Sequence, residues 1–354
     1  MGAINVKHTG SGAAIALSSD GTSLLLDGTA IGGGGGADLY AANESSPAAQ
    51  PSATGTNAVA IGDSAVASGQ ESVAFSKSLA SGRQSFAAAL SSNSASYGAQ
   101  GYHSVALGER SKATGYASVA LGFGTATGDN SFACSTSNSG YASAVNSFAF
   151  GSSAQAAGSP SIAMGYQPEA KAEASVAMGY RTKVTSNGQG SSAFGIDSFV
   201  DVKAKTVFGG RNFSSNGDCQ TGTTVLKGFT TDATAVQLAS GYINATAAAT
   251  NQVVLPNNSV YGFTGTIIAR ENSAQTNDFA VWEVKGGAVR AASASTTALG
   301  SYNINKISES TGAATWAIAI SADTTNGAIA FTVTGEASHS IRWVATINTT
   351  EVTY

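Results

Sequence analysis

From residue 58 the chain repeats one short pattern of hydrophobic and small polar positions. A small residue is followed by an apolar residue, Ala, a second apolar residue and usually Gly. Ala58-Val59-Ala60-Ile61-Gly62, Ser104-Val105-Ala106-Leu107-Gly108 and Ser175-Val176-Ala177-Met178-Gly179 are clear copies. Copies start at 58, 72, 85, 104, 118, 131, 147, 161, 175, 191 and 205, in steps of 14, 13, 19, 14, 13, 16, 14, 14, 16 and 14 residues. Between them runs a shorter signal, small-x-small-x-Gly, as in Ser78-Leu79-Ala80-Ser81-Gly82 and Ser111-Lys112-Ala113-Thr114-Gly115. A repeat at a fixed step marks a stacked architecture in which each unit buries its face against its neighbours.

Side chains alternate between the two faces of a strand. In each copy the central Ala therefore faces one way and its two larger neighbours the other. Fourteen residues fit two short strands and two turns, with Gly supplying the turn conformations. Stacked coils then form a narrow parallel β-solenoid whose interior admits only Ala, Ser and Val-sized groups. The larger residues form an outward stripe: Val59, Ile61, Val73, Phe75, Val105, Leu107, Val119, Leu121, Cys134, Phe148, Phe150, Ile162, Met164, Val176, Met178 and Phe194. A continuous apolar patch of that extent marks an interaction site. Burying each such side chain contributes about 1.5–3 kcal/mol, enough in sum to exceed the roughly 4–15 kcal/mol cost of association. The stripe is read as an interface between copies of the chain. Cover by other parts of the same chain is the alternative.

The motif, its step and its S-x-A-x-G partner closely resemble the YadA-like head repeat of trimeric autotransporter adhesins, over residues 57–212. That resemblance implies a left-handed parallel β-roll and sets the number of copies at three. The 19-residue step before Ser104 and the degenerate copies at Ser191 and Lys205 depart from the pattern. A cellular adhesin of that family would also carry a signal peptide, a coiled-coil stalk and a membrane-anchor barrel. No apolar h-region follows Met1-Gly2-Ala3-Ile4, no run of 18 apolar residues occurs and no heptad run is present. The same roll occurs in bacteriophage fibre proteins, and the opening Ala3 to Thr9 and Asp20-Gly21-Thr22 resemble the starts of marine phage structural proteins. This second resemblance implies a virion protein assembled in a host cytoplasm.

The flanks read differently. Residues 1–36 are expected to form short strands at Ile4–Lys7, Ala14–Leu17 and Ser23–Leu26, a module that attaches to other virion proteins or simply caps the solenoid. Gly32 to Gly36 reads as a joint, and 37–56 as an extended linker with Pro47 and Pro51. Residues 213–354 hold Trp282, Trp316 and Trp343 and show period-two alternation around Tyr261–Ile267, Phe279–Val284, Trp316–Ile320, Ile329–Val333 and Ile341–Ile347. Gly286-Gly287 and Asn326-Gly327 signal hairpins between such runs. An antiparallel sandwich or jelly roll, folding on its own, is expected there. Its tryptophans are read as core, and its loops at 323–327 and 272–278 as candidate contacts with a receptor. No individual receptor-binding residue can be assigned.

Composition narrows the chemistry. Charged residues make up 11% of the chain and the net charge is -4, which argues against nucleic-acid binding. Cys134 and Cys219 are far apart and outside any metal spacing, and read as isolated thiols. His8, His103 and His339 lie in different regions with no ligand spacing, so no metal and no cofactor is expected. A glycan-cleaving tailspike needs paired carboxylates beside a sugar groove. Glu169 with Glu173, and Asp197 with Asp201, are the nearest approach, and all four read as turn or corner residues. Tyr102, Tyr116, Phe123, Tyr166 and Tyr180 sit at coil edges, where stacking stabilises a solenoid or binds sugar. The expectation is an all-β homotrimeric virion fibre without enzymatic activity or membrane insertion, binding a glycan or protein on the host surface. A capsid-decorating head fibre and a polysaccharide-degrading tailspike are the alternatives.

Overall fold

The computed structural model describes the strands at 4–6, 15–19, 24–26 and 29–31, and residues 50–272 and 277–354. Two compact units are present, Met1–Ala49 and Gln50–Tyr354. The first holds a four-stranded antiparallel meander, Ile4–Val6, Ile15–Ser19, Leu24–Leu26 and Thr29–Ile31, in chain order. The last of these strands was not among the expected ones. The Gly32 to Gly36 joint and residues 37–49 of the expected linker lie outside the described residues. Within 50–56, Ser52–Ala53 already pairs in parallel with Val66–Ala67, so the stack begins in the stretch read as linker.

The repeat forms two parallel ladders. One runs through every main motif from Val59–Ile61 to Lys205–Gly210, and the other through every short signal from Ser52–Ala53 to Phe199–Val200. Between them lie two columns of alanine. Ala74, Ala87, Ala106, Ala120 and Ala133 of one ladder, and Ala67, Ala80, Ala99, Ala113 and Ala126 of the other, are fully buried. The columns end in slightly larger residues, Val207 and Val200. The interior is therefore as narrow as the pattern predicts.

The serines that open the motifs are buried, and their hydroxyls close the preceding corner. Ser72, Ser85, Ser104 and Ser118 each donate Oγ–H to the carbonyl three residues back, at 2.6–2.8 Å. This satisfies a polar group that would otherwise be costly to bury. The glycines that end the main motifs supply a turn conformation as expected, with φ of 111–134° at Gly108, Gly151, Gly165 and Gly179, but glycine at this serine-closed corner has a different role. A Cβ on Gly69 would stand 2.0 Å from the carbonyl oxygen of Gly82, and one on Gly115 2.0 Å from that of Gly128. Close approach of the next corner leaves no room for a Cβ at these glycines, while Ala144 and Ala172 hold the equivalent corner in other coils. The left-handed backbone falls two residues on, at Glu71, Gln84, His103, Ala117 and Asn130, with φ of 49–58°. The 19-residue step is a local insertion: Phe86 still pairs with Val105 and Ala80 with Ala99, and Leu90 is buried.

After the last coil the chain turns through 211–218, where the Asp218 carboxylate accepts backbone N–H bonds from Phe213, Ser214 and Ser215 at 2.7–2.8 Å. The Cys219–Thr230 strand then returns antiparallel to Lys205–Gly210. Four further strands, Ile341–Thr353, Ser259–Glu271, Phe279–Arg290 and Ala298–Glu309, extend the same sheet in that order. The 213–354 region is thus joined to the roll by a continuous sheet. A smaller sheet, built on Ala317–Asp323 and Ala328–Thr334 with the short strands Val236–Gln237 and Val253–Val254, shares its core with the larger one. Trp282 and Trp343 stack at 5.6 Å, and Trp316 lies 6.0 Å from Trp343. All three are buried, as expected of core residues. Asn326-Gly327 does close a hairpin, with Asp323 accepting the amides of Thr325 and Asn326. Gly286-Gly287 does not: both lie inside the Phe279–Arg290 strand. The Gly there makes room for rings, since a Cβ on Gly286 would stand 2.6 Å from Tyr302 and 2.8 Å from Phe263.

Candidate functional site

The outward side of the main ladder is the most extended feature of the molecule. In-register parallel pairing places equivalent residues of successive coils one above another. The first row reads Val59, Val73, Phe86, Val105, Val119 and Phe132, then Phe148, Ile162, Val176, Ser192 and Thr206. The second row holds Ile61, Phe75, Leu107, Leu121, Cys134 and Phe150, then Met164, Met178, Phe194 and Phe208. All sixteen residues read from the sequence as interface positions fall in these two rows. Phe86, Phe132 and Phe208 belong with them and were left out. A third, shorter row carries Tyr166, Tyr180 and Ile196.

The rows stack on themselves along the coil axis. Phe132 and Phe148 lie 4.9 Å apart with nearly parallel rings, Phe194 and Phe208 5.4 Å, and Phe75 and Phe86 5.8 Å. Such pairs are worth about 0.5–1.5 kcal/mol beyond their area. Their outer surfaces stay open in the single chain: Phe150 is 46% exposed and Phe208 60%. Cys134 is a free, half-buried thiol held between Leu121 and Phe150.

The second ladder presents a contrasting face. Its outward positions begin with Ser52, Val66 and Leu79, run through Lys112, Thr125, Tyr141, Gln155, Glu169 and Lys183, and end at Phe199. The Tyr141 hydroxyl donates to Gln155 Oε1 at 2.8 Å. Glu169 meets Lys171 at 2.5 Å and Lys183 at 3.2 Å. Burial opposes its charge, but the two ammonium groups hold its carboxyl below the ordinary value. A shallow polar hollow of about 400 Å³ opens beside Ser153, Gln155, Glu169, Arg181 and Lys183. One face of the roll is thus uncharged and largely apolar, and the other is polar and internally paired over its middle coils, from Lys112 to Lys183.

The remaining candidates are tied into the scaffold. Glu173 accepts from Gln189 at 2.6 Å. Asp197 is buried and accepts from Arg181 Nε at 2.7 Å, and Asp201 accepts from Asn187 at 3.1 Å. Tyr102 stacks on Tyr116 at 5.5 Å, and Tyr166 on Tyr180 at 4.9 Å. His103 bonds Gln84, and His339 contacts Glu271 at 3.2 Å. His8 lies outside the described residues, as do residues 273–276 of one candidate receptor loop. Among the described residues no three His, Cys, Asp or Glu side chains gather as metal ligands. No helix among them is long and apolar enough to cross a membrane.

This arrangement defines a class: an all-β parallel solenoid of about eleven turns followed by antiparallel sheets. Its turns are similar to YadA head repeats. The family model for the YadA head domain repeat matches residues 53–75, 99–125, 142–167 and 158–182. No curated protein matches the chain. Among solved structures, a tailspike protein from Acinetobacter baumannii bacteriophage Fri1, a capsular polysaccharide depolymerase, is similar at 10% identity and a TM-score of 0.24. That likeness covers 82% of this chain and 50% of the tailspike chain, so the chain spans about half the length of that protein.

Proposed function

We propose that the chain is a structural fibre protein of a virion, working as a homotrimer that attaches the particle to the host cell surface. The observation that carries this reading is the pair of outward, largely apolar rows, in register along the main ladder and open in the single chain. Side chains such as Phe150, Ile162 and Met178, each at least 36% exposed, are stable in water only when something covers them. Heads built from YadA repeats are typically trimeric, and three rolls meeting along these rows would bury them around one axis.

In this reading the roll is a rigid spacer. Eleven coils at about 4.8 Å each give a shaft of roughly 50 Å. Nearly identical coils offer little specificity, so recognition of a glycan or protein falls to irregular loops, where binding residues concentrate. The small N-terminal unit docks to other virion proteins. No catalysis is assigned, because Glu169, Glu173, Asp197 and Asp201 are each engaged by neighbouring side chains. Light scattering of the purified chain tests the central element. A mass three times 35.0 kDa is expected, and a stable monomer at micromolar concentration overturns it. Immunogold labelling of intact particles then locates the protein.

A further inference from the structure

The outward rows do not stop where the repeat stops. Through the antiparallel pairing of Lys205–Gly210 with Cys219–Thr230, Thr206 stands opposite Thr223 and Phe208 opposite Thr221. The first row therefore passes on to Thr223, Asn348 and Thr264, in register across three strands. The second passes to Thr221, Thr350 and Gly262. One step further along the strands, Cys219, Val352 and Val260 form an apolar row of their own.

We infer that the contact between copies continues along this face, so that a second copy of the chain covers the outward side of the Cys219–Thr230, Ile341–Thr353 and Ser259–Glu271 strands. The inference rests on the homotrimer reading above. Three observations support it. The face is continuous, strand by strand, with the rows assigned to that contact. The nine residues just named carry no charge, matching the charge depletion at the centre of protein interfaces. Val260 and Val352 are 56% and 49% exposed in the single chain, although each is a β-branched residue in a regular strand.

The chemistry changes along the rows, and the contact changes with it. Val, Leu and Phe give way to Thr and Asn. Thr223 Oγ1 donates to Asn348 Oδ1 at 2.8 Å, and a shallow hollow of about 610 Å³ opens beside Phe208, Thr264 and Thr350, with Lys285 of the next strand at its border. The roll contact is dry and hydrophobic. This one is a polar contact with room for bridging water. Adjacent strands rotate by about 20–25°, which turns the outer strands of the sheet away and confines the contact to the three nearest the roll.

The test is native-state thiol labelling of the full chain carrying Val260→Cys, with Ser295→Cys, an exposed position in the short 3-10 turn Ala294–Thr296, as the open reference. Maleimide incorporation is read by peptide mass spectrometry, alongside the mass from light scattering. The expected result is a trimer in which Val260→Cys labels at least tenfold more slowly than Ser295→Cys. A trimer in which the two label within twofold of each other overturns this inference and leaves the proposed function standing. A monomeric mass overturns both. Should Val260→Cys fail to fold, Thr264→Cys is read against the same reference.

Discussion

Lys205, in the last coil of the roll, places Nζ 2.6 Å from Oε1 of Glu351, and both side chains are buried. The pair lies under the sheet where the parallel ladder meets the antiparallel one. Gln220 donates to the other carboxylate oxygen at 2.8 Å, and the Thr349 hydroxyl donates to Glu351 as well. Tyr261 completes the cluster, with the Lys205 ammonium 5.4 Å from its ring centre. Burial, reinforced by the Glu351 charge, pushes the Tyr261 phenol well above its usual value.

Removing one partner leaves the other charged, buried and alone, which costs about 3–5 kcal/mol. Glu351→Gln and Lys205→Met are each expected to lower the thermal midpoint of the C-terminal region. The double variant is expected to recover part of the loss. Equal midpoints for parent and single variants, measured by near-ultraviolet circular dichroism, would show that the pair contributes nothing. For the same reason a fragment of residues 213–354, which lacks Lys205 and the Lys205–Gly210 strand, is expected to aggregate, whereas the sequence alone predicts an independent fold.

Acid is expected to loosen the same region. Burial raises the Glu351 carboxyl, but Lys205 and its hydrogen bonds bring it below the ordinary value. Asp218 and Asp323 are lowered likewise, burial being outweighed by backbone and side-chain hydrogen bonds. A group with a depressed folded pKa contributes stability above its unfolded value, roughly pH 4, and loses it as pH falls through the folded one. The midpoint should be flat from about pH 8 to 5 and fall below about pH 4. A midpoint that rises on acidification contradicts the assignment.

At the corners, Gly115→Ala is expected to destabilise the roll by at least about 1–3 kcal/mol, because its Cβ would lie 2.0 Å from the Gly128 carbonyl oxygen. Two residues on, Ala117→Gly relieves a left-handed backbone at φ 49° and should be neutral or stabilising by up to about 1 kcal/mol. Denaturant midpoints of the two variants check both. The opposite order would reverse the corner assignment.

Phe150→Asp places a carboxylate where apolar rows are proposed to meet, and loss of the trimer is expected in sedimentation. Lys112→Ala, on the polar second ladder, should leave assembly unchanged. If both variants assemble like the parent, the rows do not make the contact.

The repeat was readable because its two signals are local. An Ala flanked by larger residues at period two fixes which side faces in, and the 14-residue step fixes the stacking. Phe86, Phe132 and Phe208 lie in copies that depart from the motif, with Ala88, Cys134 and Thr206 in the other outward position, and local pattern marks them less clearly. Row membership depends only on register, which those neighbours do not alter. Gly286-Gly287 misled because glycine pairs mark turns far more often than spaces for aromatic rings. Lys205 and Glu351 left no local trace. Their meeting depends on the last strand of the chain returning beside Cys219–Thr230, a pairing that no local sequence signal announces.

The reversal of chain direction at 211–218 has a consequence for growth. A parallel stack exposes at its end a row of unpaired amides and carbonyls that would accept another coil from any other molecule. Here that edge is occupied by a strand of the same chain running the opposite way. The far border of the sheet, Ala298–Glu309, pairs with a neighbour whose register shifts twice, between Val281 and Trp282 and between Gly286 and Ala288. Such irregularity discourages templating. At this end of the main ladder the returning strand therefore sets where stacking stops, whereas Val59–Ile61 at the other end is a sheet edge among the described residues.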